Sequence, residues 1–286
     1  MPHSAYDVIH PDRTLSCVVF ASPHSGRDYS PSFLQASVLD SHTIRSSEDA
    51  FVDQLFNIAP QFGAPFLMAR APRAFVDLNR SCEELDPALI DGLRRQGHNP
   101  RVSSGLGVIP RVVANGRSIY RGKITMQEVQ RRLDDYWHPY HGMQQELLDC
   151  ARRRFGQAVL IDCHSMPHEA MDGVARQGMK RPDVVLGDRF GAAASGDVVD
   201  RVEAAFVGAG FNVTRNTPFA GAYITQAYGR PSRGQHAVQV ELDRSLYMDE
   251  SRVRPNGNFG AVQKALQSVV AQITGIGQGR VPLAAE

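Results

Sequence analysis

The sequence predicts an α/β fold, a sheet covered by helices on both faces. Three observations carry this: short apolar runs recur along the chain, helical periodicities separate them, and polar residues follow directly at their carboxyl ends. Residues Leu15 to Ala21 form the first apolar run and end in the turn Pro23-His24-Ser25-Gly26. Apolar residues then recur at helical spacing from Asp49 to Ile58 (Phe51, Val52, Leu55, Phe56), with Glu48 and Asp49 at the expected helix start. APFLMARAP reads as a second strand and AFVDLN as an extended segment. Residues 126 to 154 carry the longest helical pattern, which Pro139 should break or kink. AVLIDCHSMP repeats the first theme, an apolar strand followed by polar residues. A helix over 197 to 209, strands at FNVTRN and HAVQVELDRS, and an amphipathic helix over 259 to 273 complete the pattern. The tail 275 to 286 is expected to be loose.

Residues 96 to 123 break this rhythm. They are rich in Gly, Arg and polar residues with little periodicity, and read as a long irregular insertion of the kind that often serves a function. No internal repeat or low-complexity stretch is evident, so the 286 residues are read as a single α/β domain.

Composition narrows the function. Hydrophobic residues make up 42% and charged residues 21%, ordinary for a globular protein. The formal net charge of +1 gives no basic excess for nucleic acid. No apolar run approaches the roughly 20 residues that span a bilayer, and the N-terminus lacks the apolar core of a signal peptide. Cys17, Cys82, Cys150 and Cys163 are scattered, which speaks against a cysteine-rich zinc site or a disulfide framework. A cytoplasmic location is expected, with a small molecule rather than nucleic acid or membrane as partner.

In open sheets of this class, ligands bind beyond the carboxyl ends of the strands. His24 and His164 each follow a buried strand there. Two such histidines and a carboxylate, Asp49 or Glu48, would satisfy the three protein ligands of a catalytic zinc. The bland alternative is that each histidine only hydrogen-bonds a loop. Glu241 ends a strand that otherwise looks buried, where a carboxylate is costly unless paired or functional. It is read either as a general base or as the partner of Arg244. Asn79 and Arg80 follow a short strand, and an arginine fork suits a carboxylate ligand. Read alone, Arg80, Arg111 and Arg121 are more simply surface arginines. Ser25 and Ser165 adjoin the histidines, but no nucleophile elbow is present, so both are read as turn residues.

Taken together, PHSG, SEDAFVDQLF, PRAFVDLNR, GLGVIPRVV, PYH, LIDCHSMP, DVVLGDRFG, PFAGAYIT, YGRP and ELDRSLYMDE occur in this order from Ser16 to Glu250. This succession resembles the N-formylglutamate amidohydrolase family, which is similar in fold to the zinc carboxypeptidases and aspartoacylases. The resemblance implies a mixed, mostly parallel twisted sheet. It also implies a Zn2+ or other divalent ion held by His24, His164 and an acidic ligand, with Asn79 and Arg80 binding substrate and Glu241 as catalytic base. The carboxypeptidase pattern places its acidic ligand three residues after the first histidine, and here that position is Arg27. Asp49, and after it Glu48, is the nearest substitute. The implied reaction is attack of a zinc-activated water on the formyl amide of N-formyl-L-glutamate, as in histidine breakdown. A deacylase for another N-acyl amino acid and a non-catalytic metal-binding protein are the alternatives. Asp162 is placed as a partner orienting His164, and Arg111, Arg121, His141 and Tyr223 as further pocket residues.

Overall fold

The computed structural model describes residues 4–94, 97, 99–172 and 181–277. The elements run β1 (Tyr6–Ile9), β2 (Val18–Ser22), α1 (Pro31–Ala36), α2 (Val52–Phe56), β3 (Phe66–Ala69), α3 (Pro100–Ser103), α4 (Met126–Arg132), α5 (His138–Phe155) and β4 (Ala158–Met166). They continue through β5 (Val184–Gly187), α6 (Gly196–Gly208), β6 (Val213–Arg215), α7 (Tyr223–Tyr228), β7 (Gln235–Asp243), β8 (Met248–Asp249), β9 (Arg254–Pro255) and α8 (Phe259–Thr274). Seven strands form one sheet in the order β1-β3-β2-β4-β7-β5-β6. Pairings β2–β3, β2–β4, β4–β7 and β5–β6 are parallel, whereas β1–β3 and β5–β7 are antiparallel. The sheet is therefore mixed and mostly parallel.

The two faces bury different cores. Val159, Ile161, Cys163, Val238, Val240 and Leu242 pack with α2, α6 and α8. Leu160, Ala237, Val19 and Ala21 pack on the other side with α4, α5 and the segments around Phe75 and Val108. Because side chains alternate along a strand, Asp162 and His164 of β4 and Gln239 and Glu241 of β7 fall on this second face. The register makes Asp162 the neighbour of Gln239 and His164 the neighbour of Glu241.

Three elements differ from the sequence reading. AFVDLN is a run of turns, not an extended strand: Phe75 and Val76 amides donate to Pro72, and Asp77 Oδ1 accepts the Asn79 amide. Such a side-chain bond two residues on competes with strand pairing. The helix expected from Asp49 shrinks to Val52–Phe56, because Phe51 at its N-cap takes a left-handed φ of 68°. Strand β1, four residues at the sheet edge, has only a weak alternating signal. By contrast, the interruption expected near Pro139 is present as a π-helical segment, Leu133–Trp137, between α4 and α5. The insertion is irregular in its described part, carrying the short α3 and isolated bridges such as Val112 to Ser118. Of the tail, only 275–277 belongs to the described residues.

Candidate active site

His24 stands in the turn after β2. Gly26 lets that turn pack down, since a Cβ there would lie 2.2 Å from the carbonyl oxygen of Ala71. The Asp49 amide donates to the carbonyl of His24 (3.0 Å), so one backbone bond brings a residue 25 positions later beside the first histidine. The left-handed Phe51 turns the chain away immediately afterwards, its ring against Phe259. Strand β4 delivers His164, whose ring meets that of His24 edge-on at 4.8 Å. The donor atoms of His24, Asp49 and His164 lie within 4.8 Å of one another, and all three residues are buried.

The electrostatics of this triad favour a cation. Nε2 of His24 donates to Asp77 Oδ1 (2.7 Å), because a carboxylate can only accept. In the neutral ring this leaves Nδ1 with a lone pair. That atom is buried without a hydrogen bond, 3.4 Å from Asp49 Oδ2. Nδ1 of His164 lies 2.9 Å from the same oxygen, while its Nε2 lies 3.0 Å from Asp162 Oδ2. The other Asp49 oxygen accepts from Arg244 Nη2 (3.0 Å), and Arg244 Nε donates to Ser165 Oγ. Two imidazole nitrogens and one carboxylate oxygen thus converge, each ring backed by a second carboxylate. The donor set fits a divalent ion such as zinc.

The ionisation of these groups follows the same balance of burial and charge. Burial opposes the charged form of His164, but Asp162, Asp49 and Glu241 outweigh it and hold its pKa well above the ordinary value. Burial would raise Asp49, yet the two histidines hold it well below the usual carboxylate range. Asp77 is held low against burial by Arg73, His24 and Arg80. Glu241 behaves differently. Burial pushes it up to about 7, with Asp49 adding to the rise while His164, Arg73 and Arg244 oppose it. Its bonded partner is Gln239, whose Nε2 donates to Oε1 at 2.8 Å. The alternative pairing with Arg244 is not formed, since that guanidinium is engaged by Asp49 and Ser165.

These groups open onto a cavity of about 610 Å³ whose lining includes His24, Asp49, His164, Glu241, Asn79 and Arg80. Asn79 Oδ1 accepts the Ile224 amide, and its Nδ2 reaches toward His164 and Gln239 (3.3 and 3.5 Å). Arg80 is 7% exposed; Nε donates to Leu106 O and Nη1 to Asn79 O. Trp137 clamps the same residue through its carbonyl.

Five residues expected at the site are placed elsewhere. Glu48 turns away to a two-bond pair with Arg45 (both 2.9 Å) and is not among the converging donors. Arg111 bonds Asp86 and the Ser103 carbonyl, outside the cavity lining. Arg121 is solvent-exposed and also outside it. His141 is buried between the Leu78 carbonyl and the Tyr228 hydroxyl, and burial drives its pKa down to about 3. Tyr223 packs on Trp137 and His141 instead of facing the cavity. Conversely, sequence reasoning missed Arg73, Asp77, Arg101 and Gln239, which all line the cavity, and gave Arg244 no place in it. For Arg73 and Asp77 the available signal was their place inside PRAFVDLNR.

Among the described residues, no helix is long and apolar enough to cross a membrane. Comparison with known proteins agrees with the architecture. The N-formylglutamate deformylases of Pseudomonas aeruginosa and Pseudomonas putida are 31% and 30% identical to this chain over 241 residues, covering 82% of it and 82% of each relative. The crystal structure of N-formylglutamate amidohydrolase from Ralstonia eutropha superposes with a TM-score of 0.90 at 32% identity, over 96% of this chain and 99% of that one. A gene product of Agrobacterium tumefaciens shares the fold, with a TM-score of 0.65 at 16% identity over 95% of both chains. The family description N-formylglutamate amidohydrolase matches residues 16–248, and the chain belongs to that family.

Proposed function

We propose that this protein is a metal-dependent amidohydrolase that cleaves N-formyl-L-glutamate into formate and L-glutamate. The observation that carries the reading is the pairing of a buried, cation-ready triad with the buried carboxylate of Glu241, which among the described residues is hydrogen-bonded to Gln239 and to no basic side chain. His24, Asp49 and His164 would hold the divalent ion. When bound, it supplies Lewis acidity and a water of lowered pKa.

The chain's own groups account for the rest. Glu241, its pKa raised by burial to about 7, is poised to take a proton from the attacking water and return it to the leaving nitrogen. Gln239 holds one Glu241 oxygen and so fixes the carboxylate's direction. Arg73, tied to Asp77 at 3.0 Å and lining the cavity, is placed to balance negative charge developing on the amide oxygen. Arg80 spends Nε and Nη1 on carbonyls and offers Nη2 to a substrate carboxylate. Asn79 spans Ile224 and His164, which fixes the wall on which Arg80 stands.

The test is formate release from a panel of N-acyl amino acids, run alongside metal analysis of the purified protein. One divalent ion per chain and preferential turnover of N-formyl-L-glutamate are expected. Turnover of an N-acetyl or N-succinyl amino acid in its place would move the assignment to another deacylase. Loss of no activity on exhaustive chelation would remove the metal.

A further inference from the structure

We propose that Arg101, at the cavity rim, reads the side-chain carboxylate of the substrate and is the residue that selects a dianion over a neutral analogue. This rests on the function proposed above and specifies how the same site chooses its substrate.

The argument starts from charge pairing. Four arginines line the cavity: Arg73, Arg80, Arg101 and Arg244. Two are neutralised inside the protein, Arg73 by Asp77 and Arg244 by Asp49, each at 3.0 Å. Among the described residues, neither Arg80 nor Arg101 has a carboxylate within 4.0 Å. Glu84, whose charge reaches Arg80, is already engaged by the Ser81 amide and the Asn99 side chain. Burial and the like charges of Arg73 and Arg101 lower the pKa of Arg80. Two cations that repel each other in one cavity are a site for anions.

The backbone holds Arg101 in place. Asn99 caps α3 by accepting the Arg101 and Val102 amides, and Pro100 follows in the first turn. Leu106 donates its amide to the Arg101 carbonyl, and its own carbonyl accepts from Arg80 Nε. One residue therefore ties both arginines together. Arg111, expected to bind substrate, fastens the far end of α3 through the Ser103 carbonyl.

Depth assigns the two carboxylates. Arg80 is 7% exposed and lines the interior of the cavity beside Asn79. Arg101 is exposed at the rim. In an N-formyl amino acid the α-carboxylate is one bond from the carbon bearing the reacting nitrogen, and a γ-carboxylate is three bonds away. The interior Arg80 matches the former and the rim Arg101 the latter. Leu106, Val112 and Val113 supply apolar lining for the methylenes between.

Steady-state kinetics on metal-loaded protein with N-formyl-L-glutamate and N-formyl-L-glutamine test this. Arg101→Gln should lower the ratio of the two kcat/KM values by at least about tenfold, the size of one charge-assisted contact. The loss should fall mainly on KM for the glutamate substrate, with melting temperature and metal content kept, and Arg101→Lys should recover part of the ratio. An unchanged ratio in Arg101→Gln would overturn the proposal. Should the wild type hydrolyse neither substrate, the hydrolase reading falls. Calorimetric affinity for L-glutamate against L-glutamine in wild type and Arg101→Gln then decides the anion site: equal selectivity in both rejects it, and loss in the variant upholds it.

Discussion

His164 and Glu241 are direct cross-strand neighbours, paired in parallel register on β4 and β7 and pointing to the same face of the sheet. One of the converging donors and the carboxylate proposed as base are thus set side by side by the two longest strands of the sheet, not by loops. Burial that lifts Glu241 to about 7 leaves both its ionised and protonated forms populated near neutrality, which suits a group that must take a proton and give it back.

Glu241→Gln separates catalysis from structure. Glutamine matches the size and keeps a hydrogen-bonding head beside Gln239, but it accepts no proton. Metal content and substrate affinity should persist while kcat falls at least roughly 100-fold, the low end for removing a general base. The acid limb of the kcat profile should vanish with it. Normal specific activity accompanied by a lowered melting temperature would show the residue to be structural.

How much of this was legible in the sequence follows from what each signal depends on. His24, His164 and Glu241 could be found because an apolar strand followed by a polar residue marks a sheet's carboxyl edge, and β2, β4 and β7 are such strands. Asp77 and Arg73 lie in the visible motif PRAFVDLNR, but their roles were not legible, because they arise from turns that bring Asp77 to His24 Nε2 and Arg73 to Asp77. Arg244 looked like a local partner for Glu241, three residues away, yet its side chain reaches Asp49 across 195 positions. His141, Arg111 and Tyr223 stand within the motifs PYH, GLGVIPRVV and PFAGAYIT. Their chemistry suits a site, but burial and bonding give them structural work. Burial is a property of the folded chain that residue type does not carry.

The acidic ligand provides a second test. Asp49 offers Oδ2 to both histidines, whereas Glu48 spends both oxygens on Arg45. Asp49→Ala should therefore lower metal affinity far more than Glu48→Ala, whose effect should appear in thermal stability instead. Titration of each apo-variant with zinc against a competing chelator measures the difference. A Glu48→Ala protein that loses metal while Asp49→Ala retains it would reverse the assignment.

His141 predicts a pH dependence of stability. Its folded pKa, near 3, lies below the ordinary 6.5, chiefly because burial disfavours the charged ring. For a base with a depressed pKa the unfolded chain binds the proton first. The stabilisation is fully present above about pH 6.5 and is lost as pH falls toward 3. Each pKa unit corresponds to about 1.4 kcal/mol, so the loss reaches a few kcal/mol at the acid end. Replacing His141 with Gln should flatten this part of the melting-temperature profile while leaving KM at neutral pH unchanged. A change in KM with no change in the acid slope would return His141 to substrate binding.

The last prediction concerns Asp77, which bonds the His24 ring and Arg73 at the cavity wall. Its Oδ1 accepts a hydrogen bond from Nε2 of His24 and its Oδ2 accepts from Arg73. The first contact fixes the tautomer that turns the Nδ1 lone pair toward Asp49, and the second holds a cation at the cavity wall. Asp77→Asn keeps the shape but offers one neutral oxygen and one amide. If the amide faces His24, the ring must present its lone pair at Nε2 and its proton at Nδ1, the wrong way round for a ligand. Outer partners of metal-bound histidines typically contribute 10- to 100-fold in metal affinity. Asp77→Asn should fall in that range, with faster metal loss to a chelator and little change in melting temperature of the metal-free protein. Arg73→Ala supplies the control, since it removes the second contact alone: it should lower turnover while leaving metal affinity close to wild type. Equal metal affinity in wild type and Asp77→Asn would mean that His24 is oriented by its turn and not by Asp77.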